Sequence, residues 1–278
     1  MDQETTTAWG ADWSGVADAW DEHADRIEAL KAPVTETLLS SLALGPGDRV
    51  LELGAGPGRL AARLAEAVGP TGSVLVTDVA AGMVEAARRR VEGIPGVSTA
   101  RIDVSAIDAP VGAFDAVVIR MGLMFAPDPA VALREIRRVL APGGRAGIAV
   151  WAGIEHNPWL TSVGMALMAN GLVTGGPPVG PGEVFSLGDP DRLAQLLTDA
   201  GLRDVQVEPV DIESRFATSE EHLAHAGSLA PPLAAALRSA SPEQLDAVRQ
   251  TASDLVKPHA TAEGLLLPGR ALVASGRA

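Results

Sequence analysis

The 278-residue chain has no cysteine and no tyrosine, few aromatic residues and a deficit of basic ones. Without cysteine it can form no disulfide, no thiolate metal site and no cysteine nucleophile. Lysine and arginine number 22 against 35 acids, a formal charge of −13. Such a surface repels phosphate backbones and anionic bilayers, so neither nucleic acid nor membrane is an expected partner. No run approaches the roughly 18 apolar residues of a membrane span. The N-terminal stretch carries Asp2 and Glu4 where a secretory leader is basic and then apolar. A soluble, cytoplasmic protein is therefore the expectation. Aromatics make up only 3% of the chain, so its five tryptophans are weighed one by one. Hydrophobic residues, at 47%, can still fill the core of one large α/β domain with an elaboration.

What is present is organised around Val50-Leu51-Glu52-Leu53-Gly54-Ala55-Gly56-Pro57-Gly58. The apolar run is too short for a buried helix, and helical spacing begins only at Leu60, Leu64 and Val68. It reads as a strand ending in an acid, then a glycine turn whose backbone can approach a ligand and leave amides free to donate. Asp78 closes the next apolar run, Val74 to Thr77. An acid there sits beside the first turn of a βαβ unit and can accept both hydroxyls of a ribose. Gly-x-Gly-x-Gly departs from the dinucleotide spacing, and Glu52 disfavours a pyrophosphate while suiting an ammonium group.

Along the chain, residues 1–7 are polar and read as disordered. Ala8 to Lys31 is helical, with Trp9, Trp13, Val16 and Trp20 on one face. This stripe docks the helix on the domain or forms a lid over a ligand, and the two roles are compatible. A second helix is expected from Pro33 to Leu42. Further strands are expected at 73–77, 97–102, 114–119 and 145–151, alternating with helices, which calls for a parallel sheet covered on both faces. Ligands of such sheets bind at the carboxyl ends of the strands, where Glu52, Asp78, Asp103 and Arg120 all fall. A sixth strand is expected at Val205 to Phe216. The tail reads as Leu265 to Leu267, a Pro268-Gly269 turn, and a seventh strand at Ala271 to Ala274.

The glycine turn with its flanking acids resembles motif I of the class I S-adenosylmethionine-dependent methyltransferases. The stretch Arg137 to Arg145, with Pro142-Gly143-Gly144, resembles the segment before their fifth strand. The resemblance is nearest to the ubiquinone- and menaquinone-biosynthesis type and its secondary-metabolism relatives. It implies an α/β, Rossmann-like, doubly wound sheet of seven strands, the last antiparallel, with helical cap insertions. Residues 1–43 would be an N-terminal lid, 44–151 the cofactor core, and 152–188 an acceptor segment. Residues 189–217 and 261–278 would complete the sheet, with 218–260 an inserted cap. S-adenosyl-L-methionine is the implied cofactor. Gly54, Ala55, Gly56 and Gly58 would pack on its methionine portion, Glu52 would reach its amino group, and Asp78 its ribose. Val79 and Met83 would sandwich the adenine, with Asp103 and the Val104 backbone at its edge and Arg120 and Met121 near the sulfonium. Plainer roles stand beside these: Met83 as core, Asp103 as a loop cap, and Arg120 paired with a carboxylate of the protein or of the cofactor.

Methyl transfer needs a general base only when the acceptor requires it. His23, in the lid, and His156, after the fifth strand, are the candidates chosen. His222, His225 and His259 are read as packing or surface residues, and no metal site is expected. Arg88 to Arg90 and Arg134 to Arg138 read as solvated helix faces. Trp159, Leu160, Met165, Leu167, Met168 and Phe185 suggest an apolar roof and hence a small, lipophilic acceptor. The alternatives are a cyclase or rearrangement enzyme on the same fold, a nicotinamide oxidoreductase, or a non-catalytic partner subunit. An exposed tryptophan face would equally serve a homodimer.

Overall fold

The computed structural model describes residues 13–278, so residues 1–7 and Trp9 of the expected stripe lie outside the described residues. Two helices lead in, α1 (Ala17–Glu22) and α2 (Ala24–Leu42). The expected break at Pro33 does not occur; the chain bends at His23 instead. Proline inside a helix forfeits a backbone hydrogen bond, but α2 is held by its packing. Its buried face includes Ile27, Val34, Leu38 and Leu42. Leu38 and Leu42 press on strand residue Gly147 so closely that an added Cβ would lie about 3 Å from them.

The parallel half of the sheet follows. It comprises β1 (Arg49–Leu53), α3 (Ala61–Val68), β2 (Ser73–Asp78), α4 (Ala81–Val91), β3 (Val97–Arg101), β4 (Phe114–Arg120), α5 (Pro129–Val139) and β5 (Leu140–Trp151). Then come α6 (Pro158–Ala169), α7 (Pro190–Asp199), β6 (Arg203–Phe216), α8 (Ser219–Leu229), α9 (Pro231–Ser239), α10 (Pro242–Val256), β7 (Ala260–Thr261) and β8 (Gly264–Arg277). The strand order is β3-β2-β1-β4-β5-β8-β6, with the two-residue β7 paired to β8. β3, β2, β1, β4 and β5 run parallel, and β8 is antiparallel to both β5 and β6. This is the doubly wound sheet with an antiparallel last strand that the motif resemblance implied, though the two-residue β7 makes it eight strands where seven were expected.

β8 differs from the reading of its sequence. Pro268-Gly269 makes no turn, and the strand runs unbroken for 14 residues. β6 pairs with β8 out to Phe216↔Leu265, whereas β5 stops at Trp151↔Ala271. Pro268 therefore lies where β8 has β6 beside it but not β5, a place that tolerates a missing N–H. Fully buried Asn157 takes over where β5 ends. Its amide nitrogen donates to the carbonyls of Ala152, Gly153 and Arg270, and its oxygen accepts from Arg270 N at 3.0 Å.

The helices α6 and α8 to α10 form a second apolar cluster around Val163, Leu167, Leu223 and Val248, apart from the sheet's core. Pro231 and Pro242 begin α9 and α10, and Ser241 with Gln244 forms a capping box on α10. Of the expected roof residues, Trp159, Leu167 and Phe185 are buried, but Met165 and Met168 face outward, 51% and 37% exposed. Asn157→Ala would remove the partner of the carbonyls of Ala152 and Gly153, just past β5, and of the Arg270 N–H in β8. Urea unfolding is expected to show a loss of about 2–3 kcal/mol; an unchanged midpoint would mean that Asn157 is not the splice between the two strands.

Candidate functional site

β1 is central in the sheet, paired with β2 on one side and β4 on the other, so Glu52 emerges at its end already buried. The chain then turns through Gly54, Gly56 and Gly58 with φ of 59°, 56° and 75°, values that disfavour any side chain. A Cβ on Gly58 would also meet Ala87 of α4 at 3.0 Å. β2 supports the turn from beside it. Ala55 N donates to Thr77 O at 2.9 Å, and Thr77 Oγ1 donates to Glu52 O at 2.7 Å. Asp78 accepts from Gly56 N and Ala80 N, each at 2.9 Å, one on each oxygen. A carboxylate has about four acceptor positions, so Asp78 retains capacity for two further donors. Burial raises its pKa, against the lowering effect of the backbone amides of Ala80, Gly56 and Val79.

Glu52 is 2% exposed, and its Oε2 has no hydrogen-bond partner. Burial pushes its pKa up to about 8, with Glu28 and Asp78 adding to the rise and Arg120 and Lys31 opposing it. Arg120, buried at the end of β4, holds Glu28 with two bonds of 2.6 and 2.8 Å and donates to Thr35 Oγ1 at 2.6 Å. Glu28, Lys31 and Thr35 fall at spacings of three and four on one face of α2. They are the site residues that the sequence reading missed; the periodicity was visible, but not the strand end that it faces. Burial, then repulsion by Arg120, pushes the Lys31 ammonium down to about 7. Burial raises the Glu28 pKa too, but the bonds and charge of Arg120 outweigh it and the net shift is downward. Met121, next to Arg120, has a positive φ of 62° and donates its N–H to Ala149 O at 2.8 Å.

The N-terminal helix lies over this end of the sheet. Trp13 and Trp20 pack edge-on at 6.3 Å, Trp13 also meets Phe125 at 4.7 Å, and Trp20 Nε1 donates to Leu229 O at 2.9 Å. Val16 and Ala17 form one apolar cluster with Ala80 and Met83, so Met83 packs directly beneath the helix. Asp25 pairs with Arg59, and Asp21 with Arg90. Arg90 also donates to Pro57 O at 2.9 Å, which ties the helix to the glycine turn. Arg90 is thus not part of a solvated face, and Arg138, bonded to the carbonyls of Ile107 and Ala109, is not either. Val79 and Val104 are buried. Asp103 accepts from Ser105 N at 2.8 Å, which caps its own loop.

The two histidines chosen as candidate bases fall in different places. His156 stands 3.3 Å from Glu155 in a cleft of about 540 Å³ lined by Phe185, Asp189 and Arg270 among others; no residue of the glycine turn lines it. His23, at the bend between α1 and α2, packs its ring on His225 at 4.8 Å. His225 is buried against Phe216, and burial first, then the nearby His23 and Arg26, pushes its pKa down to about 4. His222 contacts Trp159 O at 2.6 Å. No group of three side chains able to hold a metal ion exists among the described residues.

Residues 50–144 match the family model described as a methyltransferase domain. The ubiquinone/menaquinone biosynthesis C-methyltransferase UbiE of Stenotrophomonas maltophilia is 41% identical over 106 residues, 37% of this chain and 42% of its own. Over residues 50–144 the chain is similar to methyltransferase domains. An uncharacterised 37.1 kDa protein in a transposon of Streptomyces fradiae is 43% identical over 108 residues, 39% of this chain and 31% of its own. A crystal structure of a SAM-dependent methyltransferase from Aquifex aeolicus is 25% identical, with a TM-score of 0.53 over 68% of this chain and 90% of its own. The match thus spans less than half the length of the curated relatives.

The similar Aquifex aeolicus protein is described as SAM-dependent, that is, as using S-adenosylmethionine. The residues present fit it: a buried carboxylate oxygen without a partner suits an ammonium, and a second acid keeps acceptor capacity beside a turn of left-handed glycines. The raised Glu52 pKa contributes one part of the pH dependence of the free protein. The folded state keeps a proton that the unfolded chain releases, so this stability is present below pH 4.5 and lost as pH rises through about 8. Glu52→Gln removes that loss. By thermal unfolding, the variant is expected to exceed the wild type by about 1–3 kcal/mol near pH 9, the gap closing toward about pH 5. A gap independent of pH would contradict the burial of an ionisable Glu52.

Proposed function

We propose that the protein transfers a methyl group from S-adenosylmethionine to a small, lipophilic acceptor. The observation that carries this reading is Glu52 Oε2, a buried carboxylate oxygen without a partner at the mouth of the glycine turn. Bound there, the cofactor supplies a methyl group on a positively charged sulfur, open to in-line displacement.

The chain's own part is chiefly to position and to exclude water. Gly54, Ala55, Gly56 and Gly58 provide a surface without side-chain obstruction along the methionine portion. Glu52 takes the ammonium and Asp78 the ribose hydroxyls. Val79 and Met83 flank the adenine, with Asp103 and the Val104 backbone at its edge. Arg120, already satisfied by Glu28 and Thr35, acts by its charge and by anchoring α2. Met121 lies beside it at the end of β4. Residues 13–42 act as the lid, and the segments 152–188 and 218–260 enclose the acceptor. The aromatic contacts made by the lid, Trp13 with Trp20 and with Phe125, favour an apolar acceptor. Where the acceptor must lose a proton, His23 is better placed than His156, because it sits on the lid itself. Among the described residues no helix is long and apolar enough to cross a membrane.

The test is calorimetric titration with S-adenosylhomocysteine and, separately, NAD. Micromolar or tighter binding of S-adenosylhomocysteine and no heat with NAD are expected, with Asp78→Ala losing roughly 1–3 kcal/mol through unpaired ribose hydroxyls. Heat from NAD alone would overturn the reading. A gain of one methyl group in the mass of an acceptor would then separate transfer from a merely electrostatic use of the cofactor.

A further inference from the structure

The charges between α2 and the strand ends do not pair off completely. Arg120 and Glu28 satisfy each other through two short bonds. Lys31 and Glu52 remain. Lys31 is 6% exposed, yet among the described residues its ammonium has only a 3.8 Å ion pair with the already engaged Glu28 and the Trp20 ring at 5.5 Å. Glu52 leaves one oxygen without a partner. Each feels the other's charge, but no ion pair joins them among the described residues. A buried ammonium and a buried carboxylate held apart in this way are costly unless something carrying both opposite charges lies between them.

We infer that Lys31 and Glu52 form a clamp for an amino-acid zwitterion, in which Lys31 takes the carboxylate of the ligand whose ammonium rests on Glu52. The inference builds on the cofactor reading above. Its ammonium half follows from the family resemblance; its carboxylate half rests on the burial and sparse pairing of Lys31. Arg120 already commits three of its five N–H donors to Glu28 and Thr35, whereas the Lys31 ammonium has no partner closer than 3.8 Å among the described residues. Lys31 belongs to the lid helix and Glu52 to the central strand. A ligand held by both therefore ties lid to sheet, and an adenosine ligand without the amino-acid tail does not.

The groups facing the pair are few: Glu28 and Arg120 about Lys31, and Arg120, Glu28 and Asp78 about Glu52. Burial leaves Lys31 readily neutral and Glu52 readily protonated in the free protein. Closing the clamp therefore protonates Lys31 and deprotonates Glu52. The two proton changes have opposite signs and largely cancel near pH 7.5.

The experiment is calorimetric titration of wild type and Lys31→Met with S-adenosylhomocysteine and with 5′-methylthioadenosine, which keeps the nucleoside and sulfur but lacks the amino-acid group. Affinity for S-adenosylhomocysteine is expected to fall about 10–100-fold in the variant, the value of a hydrogen bond to a charged group. Affinity for 5′-methylthioadenosine should not change, which also reports that the variant is folded. In buffers of different ionisation enthalpy, Lys31→Met should release more protons on binding S-adenosylhomocysteine than wild type does. Equal losses for both ligands would make Lys31 a packing residue and overturn the clamp, as would an unaltered S-adenosylhomocysteine affinity. If wild type bound neither ligand, the cofactor reading itself would fail.

Discussion

Glu52, a carboxylate at the end of the central strand, is almost wholly buried. It is flanked by β2 and β4 and feels the charges of Glu28 and Lys31 on α2, and the elements around it are arranged to make its burial tolerable. Arg120 stands two positions beyond its β4 partner and so lies on the same face of the sheet. That arginine in turn needs Glu28 and Thr35, which fixes the rotation and height of α2 over the strand ends. The N-terminal helices are thus not an appendage laid on a finished domain. Their docking is tied to the charges buried at the strand ends, and the apolar contacts of Val16, Ala17 and the tryptophans follow the same placement.

The glycine turn depends on the same strand end from its other side. Asp78 and Thr77 fix the backbone that Glu52 begins, so the two acids act on one short loop. Tethers from Arg59 and Arg90 to Asp25 and Asp21 connect that loop to the lid. Turn, strand ends and lid therefore form one electrostatic unit. A change in what occupies the turn is felt in residues 13–42.

The parallel half of the sheet was readable because strands buried on both faces and alternating with helices leave an unmistakable pattern. The turn, both acids and the antiparallel last strand were readable too. What was misread had local causes. Pro268-Gly269 carries the composition of a turn, but β6 continues beside it and holds the strand extended. Pro33 carries the signature of a helix boundary, but packing of Leu38 and Leu42 on β5 overrides it. Arg90 looked solvated because its partner Asp21 is 69 residues away in sequence. Glu28, Lys31 and Thr35 were invisible as site residues for the same reason, since only the docking of α2 brings them to Arg120. The roof was half legible: hydrophobicity identified Trp159 and Phe185 as buried but could not tell that Met165 and Met168 point outward.

The most direct measurement is amide hydrogen exchange with and without S-adenosylhomocysteine, followed by mass spectrometry of peptides from residues 13–42 and from the glycine turn. If turn and lid are one unit, the ligand slows exchange in both, in α1 and the first half of α2 as well as in residues 53–60. Protection confined to the turn, with residues 13–42 unchanged, would contradict the claim that the buried charges at the strand ends couple the lid to the cofactor.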